Sequence, residues 1–201
     1  MTHLFTCHRK KFRVVREERY GYDFDGVIHK LMAPGETLRT EHRSPNYEML
    51  KKFVREPLFL KKYVITKIID DMLNAIHQGK EVYIISANSR RYKDAIYTLM
   101  RDLGVNIPKE NIYMNVSPKI DKLRELDITK FIDDSGYNIK NIHRAYQEGK
   151  LPRLKKLIWV WPEEENIYDV DINSDLHIFR ESKWHEKILK DRYLAGVEKI
   201  N

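Results

Sequence analysis

The sequence predicts an α/β protein, built as a three-layer sandwich in which helices cover both faces of a central parallel sheet. Between residues 18 and about 160, short apolar runs alternate with segments whose apolar residues recur at helical spacing. That alternation is typical of parallel strands joined by helical crossovers. A length of 201 residues, with 42% hydrophobic and 33% charged residues, fits a single domain over 1–201 with a small insertion.

Five strands and four helices carry this pattern. The first strand leads into Asp23, and the others are predicted at 82–85, 112–116, 128–132 and 157–160. The run at 82–85 is apolar throughout, which is typical of a central strand covered on both faces. The apolar faces of the helices lie between the strands, within 65–76, 92–103, 123–126 and 139–146.

Two segments lie outside this alternating core, one before the first strand and one after it. Residues 1–17 are basic and form an N-terminal arm or an edge strand. Residues 33–62 contain a helix start at Ser44-Pro45. They form either a small cap insertion over the sheet or a longer flap with an extra helix packed on the core. The sequence favours neither alternative.

The C-terminal part of the chain is less regular. Residues 163–175 are acidic. Within them, 169–175 opens with the spacing of a calcium-binding loop but lacks the required glycine and glutamate, since Ser174 and Arg180 stand at those positions, and it is interpreted as an acidic loop. A short strand at 177–179 and a last helix capped by Ser182 are expected to follow.

The charge balance favours anionic partners. The chain carries a formal net charge of +7 at pH 7, and its first 19 residues hold six basic residues against two acidic ones. Such a surface attracts nucleotides, nucleic acid or phosphoproteins, or it only keeps the protein in solution. The single cysteine, Cys7, and the lack of a signal-peptide or membrane-spanning pattern lead us to expect a cytoplasmic protein that makes no membrane contact.

Asp23 and Asp25 lie two residues apart at the end of the first predicted strand, and Gly26 follows them. Two carboxylates so close repel each other, and burying them is costly unless they are paired or bound to a metal. A multivalent cation would keep both ionised, whereas Asp and Gly are also ordinary turn residues. This stretch alone does not distinguish a cation site from a polar turn.

Polar residues at the other strand ends favour the cation site. Ser86 ends the second strand, Lys119 follows the third, and Asp133-Asp134 ends the fourth. Ligands of open parallel sheets bind at the carboxyl ends of the strands, where these side chains would meet. Each of them has an ordinary explanation, but their joint occurrence at strand ends points to one site.

These residues resemble the four motifs of the haloacid dehalogenase-like (HAD) hydrolase superfamily, whose sheet is Rossmann-like. The motifs correspond in order to 23–27, 84–86, Lys119 and 131–135, and the resemblance covers residues 18 to about 160. The first and fourth are close matches, and the serine motif is short. Lys122, one helical turn later, competes with Lys119, which we prefer because it lies nearer the strand end.

The resemblance implies roles for the aspartates. Asp23 would be the nucleophile that forms an aspartyl-phosphate, and Asp25 would be the general acid and base. An aspartate at the second position argues against dehalogenation. The side chains of Asp23 and Asp134 and the backbone carbonyl of Asp25 would bind Mg²⁺, with Asp133 as an indirect or alternative ligand.

The resemblance also implies a phosphate-binding set. Ser86 would donate to a phosphoryl oxygen, Lys119 would neutralise the developing charge, and the backbone N–H groups of Phe24 and Ala87 would complete the cradle. Two further residues stay ambiguous. Asn88 is either a helper in this set or a helix cap, and His29 either lines the mouth of the site or belongs to the flap without a chemical role.

The sequence therefore predicts a Mg²⁺-dependent phosphatase that hydrolyses a phosphomonoester. A nucleotide or a phosphorylated nucleic-acid end is the expected substrate, because a small cap leaves the site open and the surface is basic. The alternatives are a sugar phosphate or phosphoprotein phosphatase, or a non-catalytic nucleic-acid-binding module on the same scaffold. The sequence does not indicate an oligomeric state.

Overall fold

The structure of the chain is a computed structural model that describes residues 17–30, 64–161, 166–174 and 197–199. The strands are β1 (Arg19–Tyr22), β2 (Glu81–Ile85), β3 (Ile112–Tyr113), β4 (Lys130–Asp133), β5 (Lys156–Trp161), β6 (Asn166–Val170) and β7 (Val197–Lys199). The α-helices are α1 (Thr66–His77), α2 (Lys93–Asp102), α3 (Ile120–Glu125) and α4 (Gly136–Gln147). Single 3₁₀ turns at Arg90–Tyr92 and Lys109–Asn111 precede α2 and β3.

The strands form one sheet in the order β3-β2-β1-β4-β5-β6-β7. The first five of these pair in parallel, and β6 and β7 continue the sheet in antiparallel fashion. The chain runs outward from β1 to β2 and β3, then returns to place β4 on the other side of β1. The order of the sheet therefore reverses between β1 and β4, where open α/β sheets form their ligand crevice.

Helices pack on both faces of the sheet, because alternate strand residues point to opposite sides. The core on one face joins the strands to α1 and α2 and includes Tyr22, Ile84, Ile132, Ile68, Met72, Ile96 and Leu99. The core on the other face joins them to α3 and α4 and includes Ile85, Phe131, Leu157, Leu123, Ile139 and Ile142. The predicted three-layer α/β sandwich with a Rossmann-like sheet is confirmed.

Several predicted boundaries are wrong in detail. The strand predicted at 112–116 ends at Tyr113, and Asn115 adopts a positive φ of 61° that does not continue a strand. The strand predicted at 128–132 begins at Lys130, because the backbone N–H of Ile128 closes the turn after α3 by donating to Leu123. The predicted acidic loop 169–175 begins within β6, whose Asp169 pairs with Lys156 at 2.7 Å.

Other predictions fall outside the described residues. These are the arm at 1–17 except for its last residue, the insertion at 33–62, the strand at 177–179 and the helix capped by Ser182. Strand β7 was not predicted. Within the described ranges, no helix has the length and apolar character needed to cross a membrane.

Candidate active site

The predicted site residues follow strand ends on both sides of the sheet reversal. Asp23 comes directly after β1, and its backbone N–H donates to Ile132 in β4 at 2.9 Å. Asp133 is the last residue of β4, and Asp134 follows it. Ser86 follows β2 and donates its N–H to Tyr113 at the end of β3. Three adjacent strands, β2, β1 and β4, thus bring their polar termini to one edge.

Lys119 joins two of the aspartates. Its Nζ lies 2.6 Å from Asp23 Oδ2 and 2.8 Å from Asp133 Oδ2, and the residue is only 3% exposed. The competing residue, Lys122, pairs with Glu125 at 2.6 Å and lies over the ring of Tyr113. Lys119 is therefore the lysine that reaches the aspartates.

Asp133 has both of its carboxylate oxygens in use. Oδ1 accepts from the backbone N–H of Ser135 at 2.9 Å, and Oδ2 faces Lys119. The side-chain amide of Asn138 lies 3.2 Å and 3.1 Å from the two oxygens. Because Asp133 is fully buried and saturated with donors, it is suited to hold Lys119 and the start of α4 rather than to bind a ligand directly.

Sequence reasoning did not identify Asn138. The available signal was its position, five residues after Asp133 in the first turn of α4, whose N-cap is Ser135. The Ser135 side chain accepts from the backbone N–H of Asn138 at 3.4 Å. The same turn of helix is therefore fixed to the end of β4 from two sides.

Asp134 packs directly against Gly26. A Cβ built on Gly26 would lie 2.0 Å from Asp134 Oδ2, and Gly26 has a φ of +72° that side-chain-bearing residues rarely adopt. Glycine is therefore required here by both space and backbone conformation. The close approach brings carboxylate oxygens of Asp23, Asp133 and Asp134 within 4.8 Å of one another.

The crowded carboxylates shift one another's titration. Burial raises the pKa of Asp23 to about 7; Lys119 opposes that shift, and the charge of Asp133 adds to it. Burial also raises the pKa of Asp134 well above its usual range, helped by the charges of Asp23 and Asp133. For Lys119, burial lowers the pKa, but the charges of Asp23 and Asp133 outweigh it and leave the pKa raised.

Asp25 lies beside this cluster and has a different partner. Burial raises its pKa to about 6, against the lowering effects of Lys119 and of a hydrogen bond from Asn88. The side-chain amide of Asn88 donates to Asp25 Oδ2. The interpretation of Asn88 as a helix cap is wrong, because Ser89 occupies the N-cap of the following 3₁₀ turn.

Ser86 is buried at the base of this loop. Its Oγ accepts from the backbone N–H of Asn88 at 3.1 Å. The hydroxyl hydrogen remains available for donation, since a serine hydroxyl both donates and accepts. Ala87, between these two residues, is exposed.

Phe24 and His29 form the wall behind the aspartates. The Phe24 N–H donates to Asp23 Oδ1 at 2.8 Å, and its buried ring stacks on His29 at 5.9 Å. His29 is 4% exposed and pairs through its backbone with Asp25 and Val64. Burial lowers the pKa of His29 to about 4, so it is neutral at pH 7. It is a packed residue of the flap and does not line the mouth.

The donor set fits a hard divalent cation. Asp23 and Asp134 offer carboxylate oxygens that lie close together and repel each other, and a bound cation would remove the cost of ionising them. The carboxylate oxygens of Asp133 already accept hydrogen bonds from Lys119 and Asn138. The predicted contribution of the Asp25 backbone carbonyl stays a prediction.

No protein-family model matches the chain, and no curated protein matches it. Among solved structures, it is similar to the HAD domain of effector protein Lem4 from Legionella pneumophila, with 15% sequence identity and a TM-score of 0.44. The likeness covers 90% of this chain and 95% of the other. A likeness at this level does not indicate a function, so the function is inferred from the residues of the site.

Proposed function

We propose that the protein is a Mg²⁺-dependent phosphatase that hydrolyses a phosphomonoester through an aspartyl-phosphate on Asp23. The observation that carries the proposal is the ion pair between Lys119 and Asp23 beside Asp25 and Asp134, at the reversal of the sheet order. A nucleophile, a proton carrier and a fixed positive charge converge there. The four sequence motifs resembling HAD hydrolases support the same chemistry.

The first step transfers the phosphoryl group to the protein. An oxygen of the Asp23 carboxylate bonds to phosphorus while the bond from phosphorus to the leaving oxygen breaks. Asp25, in its protonated form, gives its proton to that leaving oxygen. Lys119 and the Ser86 hydroxyl offset the charge on the phosphoryl oxygens.

The second step releases phosphate. A water oxygen bonds to phosphorus as the bond to Asp23 breaks, and the Asp25 carboxylate takes the proton from that water. Asp23 returns to a carboxylate, and Asp25 is again protonated for the next cycle. Bound Mg²⁺, held by Asp23 and Asp134, would neutralise phosphoryl charge and orient the transferred group.

The surroundings of the site support a nucleotide or a phosphorylated nucleic-acid end as substrate. Arg90 and Arg91 are exposed in the turn that follows Ser86, at the carboxyl edge of the sheet. Tyr137, 76% exposed in the first turn of α4, follows Asp134 by three residues. Cations bind a polyanion's phosphates, and an exposed aromatic ring provides a surface on which a base can stack.

The activity is tested with a generic aryl phosphate, with and without Mg²⁺. We expect wild-type turnover to require Mg²⁺ and Asp23→Asn to lose more than about 10³-fold in kcat. Asp121→Asn is the matched control, because this carboxylate on α3 is exposed and pairs with Arg124. Equal activity in wild type and Asp23→Asn, or none in either across a broad panel of phosphomonoesters, would contradict the proposal.

The substrate class is tested with a panel of nucleotides, 5′-phosphorylated oligonucleotides, sugar phosphates and phosphopeptides. Arg90→Ala is expected to raise KM for an oligonucleotide at least about threefold, to leave KM for an aryl phosphate unchanged, and to weaken the dependence of KM on salt. Arg101→Ala, an exposed arginine of α2 further from Ser86, is the control. A preference for sugar phosphates or phosphopeptides would refute the substrate class and leave the phosphatase activity intact.

A further inference from the structure

We propose that Asn88 is a positioning residue for Asp25, which fixes the carboxyl group so that Oδ1 is the oxygen that carries the transferred proton. The inference rests on the proposed phosphatase function and goes beyond it. It assigns a role to Asn88, whose side chain contacts the carboxyl group of Asp25. Its basis is the side-chain hydrogen bond that connects the loop after β2 to Asp25.

Asn88 is held rigidly enough to act in this way. Its backbone N–H donates to Ser86 Oγ at 3.1 Å, and its backbone carbonyl accepts from the N–H of Asn115 at 2.6 Å. Asn115 belongs to the loop after β3, so the backbone of Asn88 is fixed between two neighbouring strand ends. The side chain is half-buried, and its amide is directed at Asp25.

The amide determines which oxygen of Asp25 is protonated. The –NH₂ group of asparagine is a donor only, so Oδ2 of Asp25 must face it as an acceptor in both protonation states. The carbonyl oxygen of a carboxylic acid is a better acceptor than its hydroxyl oxygen, so in the acid form the proton is favoured on Oδ1. The carboxyl group cannot rotate without breaking this hydrogen bond, and a proton donor must be held in the correct geometry to act.

Asparagine suits this position better than its nearest relatives. An aspartate would present a further carboxylate to Asp25, in a region that already holds Asp23, Asp133 and Asp134. A leucine has the same shape but no donor, and it would leave Asp25 free to rotate. Both variants keep the backbone contacts to Ser86 and Asn115. Leucine removes the amide without adding a charge, whereas aspartate also adds a carboxylate.

The leaving group distinguishes positioning from other roles. Dinitrophenolate departs without a proton, whereas phenolate needs one, so only phenyl phosphate depends on acid catalysis. The ratio kcat/KM reports steps up to the departure of the leaving group. We expect Asn88→Leu to lower kcat/KM about 10- to 100-fold for phenyl phosphate and less than about threefold for dinitrophenyl phosphate. The midpoint of Mg²⁺-induced thermal stabilisation should stay within about twofold of wild type.

A double-mutant cycle is the decisive comparison. If Asn88 acts only through Asp25, adding Asn88→Leu to Asp25→Asn leaves kcat/KM for both esters unchanged within about twofold. Asn88→Ala, which also removes the amide without adding a charge, replaces Asn88→Leu if the latter does not fold. Additive losses, or equal losses with the two esters, would overturn the inference and leave the phosphatase function standing. A wild-type protein inactive on both esters would overturn the phosphatase function and the inference with it.

Discussion

Strand β4 has a buried lysine contact at each end, and the two ends are built differently. At its start, Lys130 pairs with Asp71 of α1 at 2.6 Å, and the hydroxyl of Tyr22 donates to the same carboxylate at 2.6 Å. At its end, Asp133 pairs with Lys119, which also pairs with Asp23. Both lysines are buried.

The difference lies in the charge balance. At the start of β4 one ammonium meets one carboxylate, so the cluster is complete within the protein. At the end of β4, Lys119 serves two carboxylates directly, while Asp25 and Asp134 lie nearby with raised pKa values. Negative charge there exceeds positive charge, which folding alone does not favour. We infer that the first cluster stabilises the fold and the second is organised for a cation and a phosphoryl group.

Replacing each lysine by methionine separates the two roles most strongly. Lys119→Met should lower kcat about 10²- to 10³-fold, because a fixed charge beside the nucleophile is lost. Lys130→Met should leave kcat within about twofold of wild type and lower the free energy of unfolding by about 1–2 kcal/mol, since Asp71 is partly exposed and regains water. The measurements are steady-state kinetics and urea unfolding. Comparable activity losses in both variants would contradict the division.

The pH dependence of stability tests the excess of negative charge. A group whose pKa is raised on folding favours the folded state at low pH and loses that contribution as pH rises through the folded-state pKa. The pKa of Asp23 is raised to about 7 by burial. Without metal, Tm should therefore fall by about 2–4 °C between about pH 6.5 and pH 8.

Mg²⁺ addition and three variants accompany this measurement. Mg²⁺ should restore Tm at the upper pH, Asp23→Asn should flatten the pH dependence, and Asp134→Asn should weaken the Mg²⁺ effect more than about tenfold. Asp71→Asn, in the cluster with Lys130, should change neither the pH dependence of Tm nor the effect of Mg²⁺ on Tm. A Tm that rises over this pH range without metal would refute the charge balance described above.

The smallest expected effect belongs to the hydroxyl of Tyr22. Burial raises its pKa, as do the charge and hydrogen bond of Asp71, so it stays neutral and donates to that carboxylate. Tyr22→Phe should cost about 0.5–1 kcal/mol of unfolding free energy, because Lys130 still pairs with Asp71. Activity should not change. A large loss of turnover would show that the two ends of β4 are not independent.

The site residues that the sequence predicts best are those whose positions follow from the parallel sheet. Asp23, Ser86 and Asp133 could be assigned to one edge, because parallel strands place their carboxyl ends together. The partners of Asn88 and Asn138 could not, because a side-chain hydrogen bond between loops depends on how those loops are placed in space. Strand β6 was missed because it lies within an acidic stretch of the sequence, although its Asp169 pairs with Lys156 of β5.

Trapping a phosphoryl group on Asp23 tests the proposed mechanism most directly. Asp25→Asn should retain Mg²⁺ binding, accept the phosphoryl group from dinitrophenyl phosphate, and hydrolyse the intermediate slowly, because no base remains to activate water. Acid quenching followed by peptide mass spectrometry should then find one phosphoryl group on Asp23 and none in a variant that also carries Asp23→Asn. A phosphoryl group on another residue, or release of phosphate with Asp23 replaced, would contradict the account.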